Sequence, residues 1–175
     1  MKKDIVVYYS NTGSNEYLAG KISKNLSCPV EAIRPKVDVH PFLLFGINFG
    51  IKKLESELKT YDRVILVGPV WMGKFVAPLK SFLKKYKSDI NELIFVTCCG
   101  STYENSRKKF GYELVFDKVK ALYDGPLTCQ AFPITMVMPE EKREDGEAVM
   151  KTRLSDANFT GEIVQRYEKF IESIS

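Results

Sequence analysis

The stretch DIVVYYSNTGSN, residues 4–15, joins an apolar run to a cluster of hydroxyls, amides and one glycine. Ile5 to Tyr9 lacks clean polar alternation, which predicts a strand covered on both faces. From Glu16 onward, Leu18, Ile22 and Leu26 recur every four residues, giving one helical stripe. Ser10-Asn11-Thr12-Gly13-Ser14-Asn15 is therefore a strand-to-helix junction. A helix N-terminus carries free backbone N–H groups and a dipole that favours anions. Gly13 permits a tight or left-handed turn, and the serine, threonine and asparagine side chains add donors. Such a segment either caps and turns the chain or wraps a phosphate with neutral donors.

Outward from this junction the chain repeats the same alternation. Cys28 to Ile33 reads as a second short strand that leaves at Pro35. The segment from Pro35 to Phe49 is too apolar for a plain solvent loop. It is expected to pack over the body and lead into a helix bearing Ile51, Leu54 and Leu58. Val64 to Val67 predicts a third strand, followed after Pro78 by a helix with Leu79, Phe82, Leu83 and Tyr86. Leu93 to Thr97 predicts a fourth, followed by a long helical region over 102–122, with Gly111 marking a break. The fifth strand lies in LTCQAFPITMVM. PEEKREDGEAVMKTR is expected to be a charged surface loop. A terminal helix carries Phe159, Ile163, Tyr167, Phe170 and Ile174.

Strands and amphipathic helices in strict alternation predict an α/β, doubly wound three-layer sandwich with a mostly parallel sheet. The 175 residues fit a single domain, 1–175, with a full core. The net charge of +4 is scattered and never forms a run, so nucleic-acid binding is disfavoured. Cys28, Cys98, Cys99 and Cys129 lack metal-ligand spacing, and His40 is the only histidine. Free, mostly buried thiols fit a reducing compartment. No apolar stretch approaches the ~20 residues of a membrane span, and the start of the chain has no signal-peptide length. The expectation is a cytoplasmic protein with no metal.

Doubly wound sheets bind ligands at the carboxyl ends of their strands. Three predicted strand ends are rich in glycine, hydroxyls or aromatics. The first is Ser10–Asn15. The second is Gly68-Pro69-Val70-Trp71-Met72-Gly73. The third is Cys98-Cys99-Gly100-Ser101-Thr102-Tyr103. No GxxxxGK[ST] or GxGxxG is present, so triphosphate and classical dinucleotide loops are disfavoured. A planar ring system tied to one phosphate would suit all three loops. Trp71 or Tyr103 would cover the ring, backbone groups of the second and third loops would meet its polar edge, and Ser10–Asn15 would hold the phosphate. Flavin mononucleotide, FMN, has that shape.

In these loops the chain resembles the flavodoxin family in its broad sense. The first resembles the family's S/T-x-T-G-x-[ST/N]. The second resembles G-x-P-x-[WY]-x-G or G-[SP]-x-W-x-G, with Pro78 and Leu79 beyond. The third, Cys99-Gly100-Ser101-Thr102-Tyr103-Glu104, resembles C-G-D-S-x-Y-E but is one residue shorter, with Ser101 roughly where the aspartate stands. The resemblance implies a five-stranded sheet in the order 2-1-3-4-5 and non-covalent FMN. The implied site is Ser10, Asn11, Thr12, Gly13, Ser14, Asn15, Pro69, Val70, Trp71, Met72, Gly73, Cys98, Cys99, Gly100, Ser101 and Tyr103. It implies electron transfer, with a redox partner protein or a small-molecule donor or acceptor, as a monomer or homodimer. The alternatives are an FMN-dependent NAD(P)H or quinone oxidoreductase and a cofactor-free interaction domain. No residue reads as a nucleophile with its base.

Overall fold

The computed structural model describes residues 2–36 and 50–175. Five strands form one parallel sheet: β1 (Asp4–Tyr8), β2 (Val30–Ala32), β3 (Arg63–Val67), β4 (Leu93–Cys99) and β5 (Leu127–Pro133). Their spatial order is β2-β1-β3-β4-β5. This is the expected three-layer, flavodoxin-like arrangement. Pairing runs Asp4 opposite Arg63 through Tyr8 opposite Val67, and Val64 opposite Leu93 through Val67 opposite Val96. Every connection must therefore cross over a face of the sheet.

The continuous apolar strands are explained by what covers each face. Ile5, Val7, Val64, Leu66, Leu93 and Phe95 point to one side. There they meet α2 (Ala77–Tyr86) and α3 (Glu113–Leu122). Val6, Ile65, Val67, Ile94, Val96 and Cys98 point to the other, where α1 (Ser14–Leu26) and α5 (Glu162–Ile174) lie. Successive side chains alternate across a strand, so both alternating sets had to be apolar. On α5, Ile163, Tyr167, Phe170 and Ile174 are buried at helical spacing.

Three expectations are corrected. No α-helix carries Ile51, Leu54 and Leu58; Ile51 instead forms an antiparallel bridge with Pro35, and Leu58–Thr60 is one short 3₁₀ turn. All three side chains are buried against the first face nonetheless. The backbone is drawn out of a helix by other acceptors. Lys52 N donates to Arg34 O (2.8 Å), Leu54 N to the Tyr86 hydroxyl (3.0 Å), and Glu55 N and Ser56 N to the Glu31 carboxylate (2.7 and 3.0 Å). The helical region after β4 begins only at Glu113. Before it, 103–111 is a set of turns, and Gly111 lies so close to Ser106 that a Cβ would fall 1.7 Å from Ser106 O. The charged stretch after β5 is not all loop: Gly146–Lys151 forms a fourth, short helix, α4, between α3 and α5. Asp145 caps it, accepting from Glu147 N and Ala148 N. His40 and the apolar 42–49 stretch lie outside the described residues.

Among the described residues no helix is long and apolar enough to cross a membrane. All four cysteines are free thiols.

Candidate functional site

The three loops meet at the carboxyl ends of β1, β3 and β4, which are adjacent in the sheet. Gly13 stands before α1 with φ 95° and ψ −29°, a left-handed conformation that a glycine adopts without strain. Its N–H donates to Ser10 Oγ (3.1 Å), which closes the turn. No side chain caps the helix, and Gly13 O accepts the first helical bond, from Tyr17 N (2.8 Å). The first-turn N–H groups at 14–16 thus have no intrahelical acceptor. Ser10 and Asn11 are half-buried, and Thr12 and Gly13 are exposed.

Ser14 and Asn15 are buried, and their side chains face the protein. Asn15 Nδ2 donates to Cys98 O (3.2 Å), and Asn15 Oδ1 accepts from Cys98 N (2.8 Å). This pair of bonds ties the first loop to the end of β4. Ser14 Oγ accepts from Leu154 N (3.1 Å), tying the loop to the segment beyond α4. Both residues keep their backbone N–H groups at the helix start, while their side chains position the loop.

The second loop is a tight hairpin. Val70–Trp71 pairs antiparallel with Lys74–Phe75, leaving Met72 and Gly73 as a two-residue turn. Both have positive φ, 48° and 66°. That is the twist a two-residue hairpin favours, and Gly73 suits it. Met72 does not, and it is also 52% exposed. Gly73 also abuts the turns after the third loop: a Cβ there would lie 2.7 Å from Lys109 O. Lys118 Nζ donates to Gly73 O (2.9 Å), fixing the hairpin against α3. Pro69, Val70 and Trp71 are half-buried, and the last two pack against the core beneath α2 and α3.

In the third loop, Cys98 and Cys99 are buried, Gly100 is exposed and Ser101 is half-buried. Burial pushes the Cys98 thiol well above its ordinary range, as does neighbouring Cys99. Burial likewise pushes Cys99 up to about 12, against the opposing bonds of Ser101. Burial thus disfavours the thiolate, the nucleophilic form, at both residues. Tyr103 presents a ring that is 68% exposed.

Among the described residues, three buried side-chain polar atoms lack a partner: Asn11 Oδ1, Trp71 Nε1 and Thr97 Oγ1. Asn11 and Trp71 are in the loops, and Thr97 is near the end of β4. A buried group left so costs about 1–3 kcal/mol. One acceptor and one N–H donor, both at this end of the sheet, fit a ligand carrying hydroxyls, carbonyls and phosphate oxygens. FMN carries all three.

The segment after β5 contributes here, and sequence reasoning missed it. Besides the Leu154–Ser14 bond, Val149 Cγ1 lies 3.1 Å from where a Cβ on Gly100 would sit. The Asp145-Gly146-Glu147 helix start was the legible signal.

A doubly wound parallel sheet in the order β2-β1-β3-β4-β5 places this chain among flavodoxin-like α/β proteins. It belongs to the Flavodoxin domain family, whose profile matches residues 46–145. Among solved structures it is similar to a flavoprotein of Lactobacillus acidophilus NCFM in complex with FMN. The two share 19% identity over 75% of this chain and 93% of that one, with a TM-score of 0.61. A flavodoxin of Streptococcus pneumoniae TIGR4 is 14% identical over 97% of this chain and 94% of its own, with a TM-score of 0.51. A short-chain flavodoxin associated with a non-canonical PDU bacterial microcompartment is 15% identical, covering 98% and 95%, with a TM-score of 0.53. At such identities the likeness is one of fold. No curated protein sequence matches the chain.

Proposed function

We propose that this chain binds FMN non-covalently across the carboxyl ends of β1, β3 and β4, and that it works as an electron carrier. The observation that carries the reading is the uncapped start of α1 behind left-handed Gly13, locked by Asn15 to the third loop. When bound, FMN supplies the redox chemistry, exchanging one or two electrons through its isoalloxazine ring.

The chain's own residues bind, orient and shield. Backbone N–H groups at 14–16, with the Ser10 and Thr12 hydroxyls, hold the phosphate. Trp71 and Tyr103 cover the ring, and the backbone of Trp71–Gly73 and Cys99–Ser101 meets its polar edge. The buried Cys98 and Cys99 line that wall. The structure of the FMN-bound Lactobacillus acidophilus flavoprotein supports this choice of ligand.

The test is the visible spectrum of the purified protein before and after incubation with FMN and desalting. Bands near about 375 and 450 nm that survive desalting are expected. A colourless protein after reconstitution overturns the reading. Rapid mixing with NADH or NADPH then separates carrier from NAD(P)H oxidoreductase: a carrier shows no fast bleaching.

A further inference from the structure

We propose that Arg153 is the charged partner of the flavin phosphate and makes this chain select FMN over flavins that lack the phosphate. The inference rests on the FMN reading above and adds a residue from outside the three loops.

Its position follows from the bonds around it. Leu154 N, one residue on, donates to Ser14 Oγ at the first residue of α1 (3.1 Å). Arg153 O accepts from Asn158 Nδ2 (2.7 Å), and Ser155 N donates to Asn158 Oδ1 (2.9 Å). The backbone at 153–155 is thus pinned against the start of α1. The guanidinium is steadied as well, because Nη1 donates to Met150 O (2.6 Å) and Thr152 O (2.7 Å). Those two bonds leave the remaining N–H groups of a planar fork for an anion.

The nearby acids do not neutralise it. Glu147 pairs with Lys151 (2.5 Å), and Asp156 with Lys21 (3.1 Å) and the Tyr17 hydroxyl (2.8 Å). Among the described residues no carboxylate forms an ion pair with Arg153. Burial raises the Cys98 thiol; the Ser14 hydrogen bond opposes this first, and the Arg153 charge adds a smaller opposing effect. Cys98 is itself bonded to Asn15, the second residue of α1.

The first loop otherwise offers only neutral donors. A phosphomonoester there gains a charge-assisted bond from Arg153 that the same flavin without phosphate cannot make. That bond is exposed and therefore weakened by salt.

The experiment titrates the flavin-stripped full chain with FMN and, separately, with riboflavin, at low and high salt. Wild type, Arg153→Gln and Arg153→Lys are compared, with thermal melting as the check on folding. FMN affinity in R153Q is expected to fall by roughly tenfold, with riboflavin affinity unchanged and the salt dependence flattened. R153K should recover part of the loss. Equal losses for FMN and riboflavin would mean that Arg153 only props the segment, and would overturn the proposal. Unchanged FMN affinity in R153Q overturns it too, while leaving FMN binding intact. A wild-type chain that binds no FMN overturns the underlying reading as well.

Discussion

At the amino ends of β1 and β3, Asp4 and Arg63 face each other in register and pair through two bonds, Nε to Oδ1 (2.9 Å) and Nη2 to Oδ2 (2.7 Å). Their side chains are 7% and 5% exposed. At the carboxyl ends of these strands and of neighbouring β4, α1 starts uncapped, Met72 is held at positive φ, and, among the described residues, Asn11 Oδ1, Trp71 Nε1 and Thr97 Oγ1 have no partner. One end satisfies its buried polar groups internally, and the other leaves several unsatisfied. Unsatisfied groups persist where something outside the chain completes them.

The strongest test of that contrast is at the closed end. Asp4→Ala leaves the Arg63 guanidinium buried without its partner and should cost about 3–5 kcal/mol of stability. Chemical denaturation measures this, and FMN affinity per folded molecule should not change. If affinity falls with stability, the two ends are not separable.

Asn15→Ala removes both bonds to Cys98 and leaves a buried N–H and C=O unpaired, an expected loss of about 2–4 kcal/mol. Unlike the Asp4 variant, it should also weaken FMN, because the first and third loops lose their tie. Stability lost with full FMN affinity retained would make Asn15 a structural residue only.

Alkaline pH probes the walls of the site. Unfolded thiols titrate near about 8.5, whereas folded Cys99 is raised to about 12 and Cys98 is also raised, chiefly by burial. Below about 8.5 both states are protonated, and this stabilisation is fully present. Above it the unfolded chain loses protons that the folded chain keeps, so stability falls as pH rises. The expected slope is about 1.4 kcal/mol per pH unit for each buried thiol. Denaturation at pH 8 and pH 10, with Cys98→Ala/Cys99→Ala as control, checks it: Cys28 and Cys129, also raised by burial, keep their share in the control, and an equal slope there removes Cys98 and Cys99 as a cause.

Thr12→Val nearly preserves shape and should cost about 1–3 kcal/mol in FMN affinity with stability unchanged. The smallest effect is at the hairpin tip. Met72→Gly relieves a positive φ and should raise stability by up to about 1 kcal/mol. A loss instead would show that Met72 packs in a way its exposure does not suggest.

Much of this was legible because strand and helix periods are local. The apolar runs at Ile5–Tyr9, Val64–Val67 and Leu93–Thr97 led directly to β1, β3 and β4. The three loops followed as the residues beyond them. The helix expected at Ile51, Leu54 and Leu58 shows the limit. Its spacing was helical and its residues are buried, yet Arg34 O, Tyr86 and Glu31 captured the backbone N–H groups. Those acceptors are distant in sequence, so periodicity could not reveal them. The same holds for Leu154, whose N–H donates to Ser14 Oγ, and for Val149, which lies beside Gly100: both partners are distant in sequence.

The layer architecture and the three strand ends were written in the sequence, because burial on two faces demands apolar runs and left-handed turns favour glycine. Tertiary structure alone decided which donors remain free. Asn15 reads as one more phosphate donor, but its amide donates to Cys98 O, 83 residues away along the chain, while Ser14 Oγ accepts from Leu154 N, 140 residues away. A side chain's hydrogen-bonding capacity is local, whereas whether it is already used depends on what the fold brings beside it.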